Sequence, residues 1–138
     1  GKEGAMDEAR LSPQLGRLID RAKAAVSQVN ASDIRAEVVA LLTDDGSIHS
    51  GYAGVDPAMS DTSAAAEALA CAQRCGCATV TAAAVTVARD PADTVLPSRG
   101  SREVLADINP DLTVVFKHHG RWVVRPLSKV PDRQRSPR

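Results

Sequence analysis

The sequence predicts an α/β domain in which a mixed five-stranded sheet is layered between helices. Three observations carry this. Segments with helical spacing alternate with short apolar runs in the order helix, strand, strand, helix, strand, helix, strand, strand, the pattern of a sheet with helices on its faces. The first two strand runs are joined by Asp45-Gly46, a dipeptide suited to a tight hairpin turn. The run Thr79 to Ala88 (TVTAAAVTVA) is apolar with little alternation, as expected for a strand buried on both faces. With 138 residues and 43% hydrophobic content, the chain can build a single core. We assign residues 11–131 to the domain, 1–10 to a flexible N-terminal segment and 132–138 (DRQRSPR, with Pro131 before it) to a loose polar tail.

Each element has a local cause. Ser12 caps the first helix and Pro13 fits its first position, where a missing N–H costs nothing. Leu15, Leu18, Ile19, Ala22, Val26 and Val29 then recur at spacings of three and four. Glu37 to Thr43 (EVVALLT) and Ser47 to Gly51 form the hairpin, and Tyr52 to Asp61, punctuated by Gly and Pro, forms a loop. The alanine-rich stretch Thr62 to Gly76 favours a helix, capped by Asp61, Thr62 or Ser63 and stopped at Gly76. Its small side chains allow close packing on a sheet or on another helix. After the central strand, a loop at Arg89 to Pro97 leads to a third helix, Ser98 to Ile108, ended by Asn109-Pro110. Leu112 to Lys117 and Arg121 to Arg125 complete the strands, and Leu127 to Val130 reads as a final helical turn.

Composition removes several function classes. The 17 basic and 17 acidic residues cancel, and Tyr52, Phe116 and Trp122 are the only aromatics. Neither the positive field nor the stacking rings of a nucleic-acid-binding protein are present. No apolar run approaches the roughly 18 residues that span a bilayer, and no charged-then-apolar start resembles a signal peptide. Cys71, Cys75 and Cys77, odd in number and crowded, suit a reducing compartment better than a disulfide framework. A soluble cytoplasmic domain is expected, with no nucleic-acid or membrane partner.

The element order, together with four blocks in the same order, resembles the small cytidine deaminases and blasticidin S deaminase. ALLTDDGSIHSGY (Ala40 to Tyr52) looks like the family's first hairpin, and SAAAEALA (Ser63 to Ala70) like its Cys-Ala-Glu helix start. LPSRGSREVLADINPDLTVVF (Leu96 to Phe116) looks like its Pro-Cys-x-x-Cys-Arg-Gln-Val-Leu helix and following strand, and LSKVP (Leu127 to Pro131) like its C-terminal Leu-x-x-Leu-Leu-Pro. The resemblance spans Leu11 to Pro131. It implies a zinc ion held by one Cys or His of the first block and two Cys of the second, with a nearby glutamate moving protons. Zinc lowers the pKa of bound water far below that of free water, to about 7, which supplies hydroxide at neutral pH.

Carried over position by position, the ligands become Ala65, Ser98 and Ser101, and the glutamate becomes Glu67. Alanine cannot coordinate, and neutral serine hydroxyls are poor zinc ligands beside thiolate or imidazole. Zinc-dependent deamination is therefore expected to be absent, and no cofactor is expected. The substrate loop departs as well: the asparagine position reads Ala53, and the acidic one is at best Asp56.

Glu67 suits a retained acid/base role if desolvated in an alanine-lined pocket. Ser98, Arg99, Ser101 and Arg102 at one helix start suit an anion cradle for phosphate, sulfate or carboxylate. C-x3-C-x-C lacks metal-site spacing, so the cysteines are expected to be small buried residues. His118 and His119, adjacent on a strand, are expected to face opposite ways, and His49 to have a solvent or turn role. The leading functional expectation is a non-deaminating binding or assembly protein. It would take a small anionic or nucleoside-like ligand and, as the resemblance implies, associate as a homodimer or homotetramer. An enzyme of metal-free chemistry using Glu67 is the alternative, and a deaminase with unconventional ligands a weaker third.

Overall fold

The computed structural model describes residues 12–27, 36–53, 63–76, 79–87 and 94–131. The expected tail and N-terminal segment, Asp56 and Cys77 lie outside these ranges. The elements are α1 (Pro13–Val26), β1 (Glu37–Thr43), β2 (Ile48–Ala53), α2 (Ala64–Arg74), β3 (Val80–Val87), α3 (Arg99–Ile108), β4 (Thr113–His118) and β5 (Arg121–Pro126), followed by a 3-10 turn at Leu127–Lys129. All eight predicted elements are present. The main shifts are that α1 ends at Val26, with Val29 outside the described residues, and that β2 continues to Ala53, two residues past its predicted end.

The five strands lie in the order β2-β1-β3-β4-β5. Only β3 and β4 are parallel, joined through α3; every other pair is antiparallel. Side-chain alternation sorts the sheet into two faces. On one side Ala40, Leu42, Ile48, Ala82, Ala84, Val115 and Trp122 pack against Leu18, Ile19 and Ala22 of α1. On the other, Val39, Leu41, Ala83, Val85, Val114 and Phe116 pack against Ala64, Ala65 and Ala68 of α2 and Leu105 of α3. The α/β/α layering is as predicted.

Two helices start on the second face, and each is capped by a serine. Ser63 accepts from the N–H of Ala66 at 3.1 Å, and Ser98 from that of Ser101 at 3.2 Å. The small-residue face of α2 brings it down on the edge strand β2. At Gly51 a Cβ would sit 2.5 Å from the backbone nitrogen of Ala68 and 2.6 Å from Cβ of Glu67. Only glycine allows that approach.

Candidate functional site

The starts of α2 and α3 converge under the first residue of β1. Glu37 shares strand parity with Val39 and Leu41, so it points toward α2 and α3 rather than α1. It is 5% exposed, and a carboxylate there requires partners. It has three. The Ser98 N–H donates to Oε2 at 2.7 Å, the Ser98 hydroxyl to Oε1 at 2.9 Å, and the Ser101 hydroxyl to Oε1 at 2.7 Å. The Ser101 hydroxyl in turn accepts from the N–H of Ala65 at 3.1 Å. One buried carboxylate thus ties β1 to the N-terminal ends of two helices, where negative charge is favoured.

Ala65, Ser98 and Ser101, the positions matched to the zinc ligands, are therefore adjacent in space. Their chemistry does not fit a zinc ion. Ala65 has no side-chain donor atom. Each serine hydroxyl carries one hydrogen, and both are aimed at Glu37, while each oxygen already accepts a backbone N–H. A cation would have to displace the hydrogen bonds of the one carboxylate present to gain two neutral hydroxyl ligands. Among the described residues no group of three His, Cys, Asp or Glu is placed to hold a metal ion.

The anion cradle is corrected by the same contacts. The helix start does hold an anion, but it is Glu37 of the same chain, so an external phosphate would meet a negative charge there. Arg102 is turned away and donates to the carbonyls of Pro131 and Leu127, each at 3.2 Å. Arg99 is exposed and pairs with Glu103 at 3.6 Å along its own helix. Glu37 itself was missed by motif reading. The available signal was a charged residue at a core-facing position of an otherwise apolar strand.

Glu67 lies in the first turn of α2 and is exposed; the desolvated, alanine-lined setting expected for it is not formed. Its helical position leaves its Cβ beside Gly51, on the solvent edge of the α2–β2 contact. Ala53 is half-buried at the end of β2, packed against the α2/α3-side core.

Three further expectations change. Cys71 is half-buried but not inert packing: its Sγ lies 3.7 Å from Nδ1 of His49, and Cys75 is exposed. His49 is accordingly not a simple solvent residue. The rings of His118 and His119 do not face opposite ways; their centroids are 4.1 Å apart. His119 has a positive φ of 53°, so the chain has left strand geometry and alternation no longer applies. Burial lowers the pKa of His118 below its ordinary value, with His119 and Arg125 adding to the effect. Asp45, in the hairpin turn, is lowered to about 2 by hydrogen bonds from Thr43 and Ser47.

Between α2 and α3 lies a groove of about 310 Å³ lined by Ala66, Leu69, Ala70, Gln73, Val104, Asp107 and Ile108. No described helix is long and apolar enough to cross a membrane.

No protein-family model matches the chain, and no curated protein matches it. Among solved structures, the 1.6 Å crystal structure of cytidine deaminase from Burkholderia pseudomallei is similar with a TM-score of 0.66. The two chains are 24% identical over 86% of this chain and 94% of that one. The fold is that of the cytidine deaminases, as the order of the sequence blocks implied.

Proposed function

We propose that this chain, built on the cytidine deaminase fold, is a non-deaminating protein that binds a small molecule. The observation that carries the reading is the Glu37–Ser98–Ser101 network. Where a zinc deaminase needs electron pairs directed at a metal, this chain directs hydroxyl hydrogens at its own carboxylate. Without a metal-activated water, Glu67, the one acid/base position kept from the deaminase motif, is exposed and has no metal-bound hydroxide to serve.

The reading takes the ligand to be nucleoside-like in size and the protein to be a homo-oligomer, as the resemblance in sequence implies. It is supported by the α2–α3 groove, whose volume of about 310 Å³ falls at the lower end of small-molecule sites. The balanced charge supports a partner other than nucleic acid.

The test is a panel of nucleosides, nucleobases and small carboxylic acids screened by thermal shift, with ammonia release followed in parallel. The expected result is a saturable melting shift with one class and no ammonia from any. Ala70→Trp, which fills the groove, should abolish the shift without unfolding the protein. Ammonia release from a cytosine nucleoside would refute the reading.

A further inference from the structure

We propose that Cys71 and His49 form a thiol–imidazole pair that makes Cys71 a site of oxidation by hydroperoxides, with Cys75 as the resolving thiol. The pair follows from how β2 meets α2. His49 and Gly51 share strand parity, so both face α2. Gly51 lies against Glu67 and Ala68; one helical turn further on, Cys71 comes opposite His49, with Sγ 3.7 Å from Nδ1.

The hydrogen bonds behind His49 set its role. The Asp45 carboxylate accepts the Ser47 hydroxyl at 2.7 Å and the Thr43 hydroxyl at 2.5 Å. The oxygen of Ser47 is 3.3 Å from Nε2 of His49. With its one hydrogen given to Asp45, Ser47 accepts from Nε2–H. In the neutral imidazole that leaves Nδ1 unprotonated, facing the thiol. Aspartate, serine, imidazole and thiol then form one chain of donors and acceptors in which the base is oriented from behind, the arrangement that activates nucleophiles. Asp45, like any exposed carboxylate, is ionised at neutral pH, so the far end of this chain is anionic.

His49 Nδ1 takes the thiol proton as sulfur attacks the peroxide; an S–O bond forms and the O–O bond breaks. The leaving alkoxide or hydroxide recovers that proton from His49. Sulfur is oxidised by two electrons to sulfenic acid, and the hydroperoxide is reduced to alcohol or water. The Cys75 thiol, one turn along and exposed at the C-terminal cap of α2, then attacks the Cys71 sulfur. An S–S bond forms, the S–O bond breaks, and water leaves. Residues four apart on a helix have Cβ atoms about 5–6 Å apart, so closing to disulfide distance needs only the last turn to tighten.

Accessibility and activation rank the two thiols in opposite orders, which makes the unaltered chain its own test. Reduced full-length protein is labelled at neutral pH with limiting iodoacetamide, and rates at each cysteine are read by peptide mass spectrometry. Accessibility favours exposed Cys75. The pair favours Cys71, by about tenfold, a modest share of what a positioned base supplies. His49→Gln should slow Cys71 by about the same factor and leave Cys75 unchanged. Hydrogen peroxide should give a Cys71–Cys75 disulfide, and in Cys75→Ser a dimedone-trapped sulfenic acid at Cys71. Faster labelling of Cys75 in the unaltered chain would overturn the proposal, as would an unchanged Cys71 rate in folded His49→Gln or a disulfide from Cys71 to Cys77.

Discussion

Replacing Glu37 by glutamine keeps the side-chain shape and removes the charge, so it isolates what the buried carboxylate does. In one amide orientation the oxygen takes the place of Oε1 and keeps both serine hydroxyls, but the NH2 then opposes the Ser98 N–H that donates to Oε2 at 2.7 Å. In the other, the NH2 faces two hydroxyls that already accept backbone N–H groups. Either way at least one buried donor loses its acceptor. A hydrogen bond to a charged group contributes about 1.5–3 kcal/mol, and the relieved burial of charge offsets part of that loss. A net cost of about 2 kcal/mol follows. At about 2.1 cal/mol/K per residue, this chain shifts by roughly 3–4 °C per kcal/mol, so Tm should fall by about 7 °C. Glu37→Ala, which strands all three donors, should cost about 3 kcal/mol or more, or about 10 °C. Thermal unfolding by circular dichroism measures both, with Glu103→Gln as the control. That residue's exposed pair with Arg99 should contribute under about 1 kcal/mol. A Glu37→Gln protein melting within about 3 °C of the unaltered chain would refute the reasoning.

Ser101→Ala should cost about 1–2 kcal/mol, and combined with Glu37→Gln should give less than the sum, with a coupling of at least about 0.5 kcal/mol in a denaturant-unfolding cycle. Gly51→Ala should destabilise by about 1–3 kcal/mol, because its Cβ would meet the backbone of α2 rather than a movable side chain; denaturation by urea reads this directly. His118 is held below its ordinary value of 6.5 in the fold, so the unfolded chain binds more protons and stability must fall as pH drops from about 6.5 toward the folded value. His118→Gln should remove that slope in Tm measured between about pH 7 and 5. Asp45, lowered from 3.8 to about 2, contributes a second loss only below about pH 4, which Asp45→Asn should flatten.

The fold was legible because its signals are local. Ser12 and Ser98 cap helices through their own third neighbours, Asp45-Gly46 turns a hairpin, and the β1 and β3 runs declare burial by composition. The convergence of Ala65, Ser98 and Ser101 was also legible, through the resemblance. What fills that place was not. Glu37 meets Ser98 and Ser101 from 61 and 64 residues away, a contact that neither periodicity nor motif spacing records. Reading Ser98, Arg99, Ser101 and Arg102 as an anion site recognised the right electrostatics but supplied the anion from outside. The His49–Cys71 contact escaped for a similar reason. Each residue is unremarkable in its own element, and only the close approach at Gly51 brings the elements together. The histidine pair was misread because strand alternation was applied to His119, which lies in the turn at a positive φ.

If a carboxylate network stands where a zinc deaminase holds its metal, the protein will not retain zinc, and metal content decides the matter. Full-length protein is incubated with excess zinc, passed over a desalting column and analysed by elemental mass spectrometry. Well under one zinc per chain is expected, both for the unaltered protein and after Glu67→Gln. One tightly held zinc per chain, lost on Ser98→Ala or Ser101→Ala, would contradict it.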